Sequence, residues 1–115
     1  MTQDELLKRY GERLKILSFA RSTTQRYQVE AGRFLQWLVE KKGITRIQDA
    51  TKDVVREYHS KLYALRRQKD GAPLTLSSKS GKISALINFF RFLVRERLIL
   101  YNPATDLDRP RVRKD

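Results

Sequence analysis

Apolar side chains recur every three or four residues along most of the chain, and no stretch alternates with period two over a useful length. That is the patterning of helices rather than strands. From Asp4 to Leu17, the positions Leu6, Leu7, Tyr10, Leu14 and Leu17 share one face. Gly11 interrupts it at a cost of roughly 1 kcal/mol relative to alanine, so this is the weakest of the expected helices. After a hinge at Ser18 to Arg21, a second helix opens on Ser22-Thr23-Thr24-Gln25. Ser22 there has the spacing to cap and Gln25 the spacing to reach back. Tyr27, Ala31, Phe34, Leu35 and Leu38 follow on one face, and Gly43 stops the helix after Lys41-Lys42.

Ile44 to Ala50 reads as a connector with Ile47 turned inward. Thr51 is then a fitting N-cap, with Asp53 near the positive helix end. Val55, Tyr58, Leu62 and Leu65 predict a third helix reaching Arg67. The stretch from Gln68 to Pro73 is a turn or exposed loop, because Asp70-Gly71 and Pro73 break regular structure. A fourth helix begins between Thr75 and Ser78, with an expected core stripe of Ile83, Leu86, Ile87, Phe90, Leu93 and Val94, flanked by Phe89 and Phe92. It ends before Asn102-Pro103, since a residue preceding proline is driven out of the α region. The tail from Arg109 to Lys114 is basic and carries no apolar period. With no internal repeat, the pattern predicts an all-α fold, a compact bundle of four to five short helices.

Composition supports a single domain. The chain has 115 residues, and 40% hydrophobic with 10% aromatic residues suffices for a core of that size. Charge alters the functional expectation far more. Against 13 Asp and Glu stand 25 Lys and Arg, a formal charge of +12. Such an excess gathers polyanions, which makes nucleic acid the leading partner and an acidic membrane or protein surface the second. The absence of cysteine removes any disulfide framework or thiolate metal site and agrees with a reducing cytoplasm. The charged start has no signal-peptide core, and no apolar run nears the roughly 20 residues that cross a bilayer. A membrane-spanning segment is therefore not expected, and nucleic acid is preferred to a membrane as partner.

The charge is also segregated. Between Tyr58 and Arg95 the one acid is Asp70, while Lys61, Arg66, Arg67, Lys69, Lys79, Lys82, Arg91 and Arg95 share that stretch. Its sharpest feature is Leu74 to Lys82, which places hydroxyls, two lysines and a glycine around a helix start. Unpaired N–H groups at a helix N-terminus bind phosphate, and hydroxyls and ammonium groups add donors. Ser77, Ser78, Lys79 and Lys82 are candidate phosphate contacts on this ground, and Lys79→Glu with Lys82→Glu is expected to cut duplex affinity and leave the melt nearly unchanged. Simple capping by Thr75 or Ser77 is the plainer account of part of the cluster. Ser22, Thr23, Arg26 and Arg33 repeat the recipe on the second helix, where a solvated face is the plain alternative.

Catalytic chemistry is not legible. His59 stands beside a core tyrosine without a Ser/His/Asp arrangement around it, and reads as a surface or packed residue. No phosphate-binding glycine loop and no His-Glu-x-x-His occurs. Tyr10, Tyr27 and Tyr58 lie on apolar stripes, and Trp37 reads as packing. The chain as it stands is not expected to be an enzyme or to require a cofactor or metal.

These residues together resemble a known family. Thr23-x-x-x-Tyr27 followed by Phe34-Leu35-x-Trp37-Leu38 is similar to the first helix of the core-binding domain of tyrosine recombinases, the phage-integrase type. Ile47-Gln48-Asp49-Ala50-Thr51 with Val54 fits its connector. Ile83-Ser84-Ala85-Leu86-Ile87-x-Phe89-Phe90-x-Phe92-Leu93 resembles its last long helix, and Asn102-Pro103-Ala104 with Leu107 and Arg109-Pro110-Arg111 its exit into the interdomain linker. The resemblance implies a SAM-like helical domain that forms half of a clamp around double-stranded DNA. It divides the chain into an N-terminal helix or arm (1–20), the core-binding domain (21–108) and a basic linker (109–115). It makes the starts of the second and fourth helices and the basic tail, with Arg109, Arg111 and Arg113, DNA-contacting candidates, and Arg66 and Arg67 join them from the acid-poor stretch. It further implies a cytoplasmic protein of bacterial or phage origin, partnered by other recombinase subunits. The family's catalytic tyrosine, Arg, Lys and His belong to a separate domain, and no residue here inherits those roles. The tail stopping at the expected linker fits an excised fragment, with a truncated protein that only binds as the alternative. Two competing readings are a stand-alone helix-turn-helix regulator, for which the loop from Gln68 to Leu74 is too long, and a basic helical protein-interaction module.

Overall fold

The computed structural model describes residues 1–108. Four α-helices, α1 (Gln3–Ile16), α2 (Arg21–Lys42), α3 (Lys52–Ala64) and α4 (Leu76–Arg95), are joined by short connections, with a single 3₁₀ turn at Ile47–Asp49. Among the described residues there is no strand; one isolated antiparallel bridge links Arg66 to Pro73. The all-α bundle is therefore as the periodicity predicts. Arg109, Arg111 and Arg113 lie outside the described residues.

α2 and α4 form the centre, with α1 packed on α2 and α3 on α4. The core is unusually aromatic. Phe34 of α2 meets Phe90 of α4 edge-on at 5.5 Å and Tyr58 of α3 at 4.9 Å, and Trp37 adds to the cluster 5.0 Å from Tyr58. Edge-to-face rings of this kind contribute beyond the area they bury, about 0.5–1.5 kcal/mol a pair. The side chains of Phe34, Phe90, Ile83, Leu93 and Val55 are fully buried.

Three expectations need correction. The capping box at Ser22 does not form: α2 starts at Arg21 with Ala20 as its N-cap and no side-chain capping bond. The start is fixed instead by packing. Ser18 turns left-handed (φ 65°), Phe19 N–H reaches Leu14 O at 3.0 Å, and the Phe19 ring settles 6.0 Å from Tyr27. Those contacts orient the chain before Ser22, which then lies inside the first turn.

α3 stops at Ala64 rather than Arg67, because Leu65 is already extended (ψ 142°). Leu65 keeps its apolar contact, which is why the stripe outruns the helix. Residues 65–67 instead pair back on 72–74, with Arg67 N–H to Ala72 O at 2.7 Å and Leu74 N–H to Leu65 O at 3.4 Å. Asp70 stitches the tip by accepting from Ala72 N–H at 3.0 Å.

The stripe on α4 is also wider than expected. Phe89 and Phe92 are core residues, while Ile87 and Val94 are only partly buried. The reason is α1, whose Tyr10 ring sits 5.1 Å from Phe89 and 5.0 Å from Phe92. A helix covered from more than one side buries a broader arc than a single stripe.

After α4 the chain folds back across α3. Pro103 and Ala104 are buried, Asp106 pairs with Lys52 and lies 3.7 Å from Arg56, and the Asp108 carbonyl meets His59 Nε2 at 2.7 Å and the Tyr63 hydroxyl at 3.3 Å. Lys52, Arg56, His59 and Tyr63 recur four, three and four apart, so one face of α3 carries the exit segment along its length.

Candidate nucleic-acid interface

α2, α3, the 65–74 turn and the first part of α4 enclose a groove of about 550 Å³. Arg33, Lys41, Lys61, Arg66, Arg67 and Lys82 line it, against two acids, Glu30 and Glu40. Trp37, Tyr58, Leu62 and Leu65 form its apolar side. Helical geometry explains the arrangement. Arg33 immediately precedes the buried Phe34, and Lys61 the buried Leu62, so each sits at the shoulder of a core stripe. Arg66 and Arg67 reach the groove because α3 has ended and the chain has turned.

These cations are not equally available. Lys82 Nζ donates to both Glu30 oxygens, at 2.8 and 3.1 Å, and Arg33 Nη1 donates to Glu30 Oε1 at 2.9 Å. Glu30 is only 9% exposed and the Lys82 side chain 20%, whereas that of Arg33 remains 59% exposed. Arg67 is held by Asp70 through two bonds, of 2.5 and 3.1 Å. Arg66 donates to the Gly71 carbonyl at 3.2 Å, and the Lys61 ammonium lies 5.6 Å from the Tyr58 ring centre. Neither of those partners carries a charge, so both cations keep their field. Burial, reinforced by Glu30 and opposed by Arg33, pushes the Tyr58 phenol up to about 12.

At the start of α4, Thr75 is the cap: its Oγ1 accepts from Ser78 N–H at 3.2 Å and its hydroxyl donates to Ser78 Oγ at 3.1 Å. Ser77 is exposed, and the Lys79 ammonium lies 5.9 Å from the Tyr63 ring centre, beside the exit segment. Lys79 and Lys82 are therefore not equivalent surface lysines. Lys82 is a partly buried, paired lysine rather than the free surface group expected, and reversing it would set a second carboxylate against buried Glu30. Ser22, Thr23 and Arg26 at the start of α2 are not among the groove's lining residues. Ser22 and Arg26 are exposed, and the Arg26 guanidinium covers the Tyr27 ring at 5.8 Å.

Sequence reasoning missed Lys41 as a groove residue and Glu30 altogether. Lys41 reads as helix-end charge. Glu30 carried a signal, because it stands three residues after Tyr27 and four before Phe34, on the apolar face where an acid needs a partner. Among the described residues, no group of three or more potential ligand side chains could hold a metal ion. No helix there is long and apolar enough to cross a membrane.

Residues 7–97 match the family model of the phage integrase N-terminal SAM-like domain, and the chain belongs to that family. It is 37% identical over 103 residues to tyrosine recombinase XerC 2 of Ralstonia nicotianae, a match covering 90% of this chain and 29% of that protein. Tyrosine recombinase XerD of Lacticaseibacillus casei is 37% identical over 93 residues, covering 80% of this chain and 28% of the relative. Tyrosine recombinase XerC of Leptospira interrogans is 32% identical over 113 residues, with 97% and 34% covered. The chain thus spans about a third or less of each relative's length. No solved structure is matched.

Proposed function

We propose that this domain grips duplex DNA as half of the clamp that a tyrosine recombinase closes on its target. The observation that carries the reading is the groove, where six cations face two acids in a chain of net charge +12. Lysines and arginines that neutralise phosphates release condensed counterions, the main source of sequence-independent DNA affinity. Arg33, Lys61 and Arg66 are the groove residues best fitted to that role, with Ser77 and Lys79 adding donors at the start of α4. Ser22, Thr23 and Arg26 extend the contact along α2, and Arg109, Arg111 and Arg113 continue it into the linker. The remainder of a full-length recombinase supplies the catalytic residues and the other half of the clamp, and its subunits act together on DNA in the cytoplasm.

The test is fluorescence anisotropy on a labelled generic duplex across a salt series, with heparin and single strands as comparators. Log K is expected to fall with log salt by about 0.9 per neutralised phosphate, with duplex preferred to heparin. Lys61→Glu with Lys79→Glu should weaken binding and make that dependence shallower. A flat salt response, or equal binding to every polyanion, would transfer the assignment to a protein-interaction module built on the same fold.

A further inference from the structure

Glu30 is a buried acid at the side of a groove otherwise dominated by cations. Its two oxygens receive three bonds, two from Lys82 across the α2–α4 contact and one from Arg33 within α2. We infer that Glu30 sets the selectivity of the groove by withholding Lys82, and one edge of the Arg33 guanidinium, from phosphate. The inference rests on the duplex-binding reading above.

Two physical points carry it. For a phosphate to capture Lys82, the lysine must leave a carboxylate that is 9% exposed and has little water to replace it. Breaking a buried pair strands a desolvated charge, so the intramolecular partner wins over an exposed, hydrated phosphate. Phosphate contacts also add affinity for every sequence alike, whereas base-edge contacts discriminate. Removing one cation from the phosphate-binding set lowers generic polyanion binding and takes nothing from whatever reads base edges. Arg33 is still 59% exposed, so the nitrogens not held by Glu30 remain open to a ligand in an orientation the carboxylate fixes.

The experiment is the salt dependence of anisotropy for Glu30→Gln and for Glu30→Gln with Lys82→Met, on generic duplex and on heparin. Glu30→Gln keeps the shape and removes the charge. It should raise affinity for both polyanions about threefold or more and steepen the duplex slope by about 0.9, one extra neutralised phosphate. Adding Lys82→Met should abolish that extra slope. A purely structural Glu30 would lower the melting temperature and leave the slope alone, and that result overturns the inference. A wild-type chain with no salt dependence removes the duplex reading and this inference with it. A steep wild type with an unaltered Glu30→Gln removes the inference alone.

Should Glu30→Gln unfold, lysine acetylation of the wild-type chain decides the matter. Lys82 should react slowly with and without duplex, while Lys61 and Lys79 become protected on binding. A Lys82 that reacts readily in the free protein and is protected by duplex overturns the inference.

Discussion

The Tyr10 hydroxyl donates to Asn88 Oδ1 at 2.6 Å, joining α1 to α4 across 78 positions of sequence. The Tyr10 ring is fully buried between Phe89 and Phe92, and burial holds its phenol well above its ordinary pKa, so the proton stays on the donor. α1 is the helix with the least favourable sequence, and this contact is what anchors it to the central α4. Tyr10→Phe keeps the ring and orphans the Asn88 oxygen. A loss of about 1–2 kcal/mol is expected, read as a lower urea midpoint at constant m-value. An unchanged midpoint would mean that water replaces the hydroxyl at no cost.

Gly11 has a purpose that helix propensity alone conceals. An added Cβ there would lie 2.0 Å from Gln28 Nε2, the amide that donates to Leu7 O at 3.0 Å and bridges α1 to α2. Alanine gains roughly 1 kcal/mol as a helix former but displaces that amide, whose bond contributes about 0.5–1.5 kcal/mol. Gly11→Ala alone should therefore leave stability within about 0.5 kcal/mol of wild type. In a Gln28→Ala background the obstruction is gone, and the same substitution should stabilise by about 1 kcal/mol. Equal effects in the two backgrounds would show that the amide does not fill the space above Gly11.

What the sequence made legible was chemistry local to a few residues. Thr51 caps α3 through a 3.3 Å bond from Val54 N–H, Gly43 ends α2 at φ 64°, and Thr75 caps α4. Each depends on groups within a turn of one another. The failures depend on partners far along the chain. Ser22 loses its capping role to a Phe19–Tyr27 contact, and Phe89 and Phe92 join the core because Tyr10 covers them. Lys82 looked like an exposed phosphate ligand because its partner, Glu30, stands 52 positions away. Periodicity locates faces, and only tertiary packing decides which faces meet.

The same contrast separates two helix ends. α2 and α4 both close through a left-handed residue, Gly43 at φ 64° and Arg97 at φ 57°, with a 7→1 bond from Ile44 N–H to Leu38 O and a 6→1 bond from Leu98 N–H to Leu93 O, each of 2.9 Å. Glycine adopts that conformation without steric cost, whereas a residue bearing Cβ is strained there by roughly 1–2 kcal/mol. Arg97→Gly should stabilise the domain by about 0.5–1 kcal/mol after glycine's greater unfolded-state entropy is subtracted, and Gly43→Ala should destabilise it by about 1 kcal/mol. Thermal melts of the two variants should move in opposite directions. A destabilised Arg97→Gly would mean that the arginine side chain contributes more than its backbone costs.

Tyr58 makes the alkaline limb of stability a report on the groove. Its phenol ionises near 10 in the unfolded chain and at about 12 in the folded one, chiefly through burial and then through Glu30. Between those values the unfolded state has lost a proton that the folded state keeps, so stability falls as pH rises from about 10 to about 12. Below that window the contribution is complete, and above it no further loss arises from this group. Tyr58→Phe removes the titration but retains the ring against Phe34 and Trp37. Urea unfolding of both proteins should give a constant difference in stability up to about pH 10, then a shift in favour of the variant of at most about 2 kcal/mol by pH 12. Tyr10 is present in both and titrates higher, so it cancels from the comparison. Glu30→Gln should bring the Tyr58 step to lower pH, because the second of the two influences that raise it is then gone. Parallel curves at every pH would mean that the Tyr58 phenol is solvated in the folded chain, and that the apolar side of the groove is open to water.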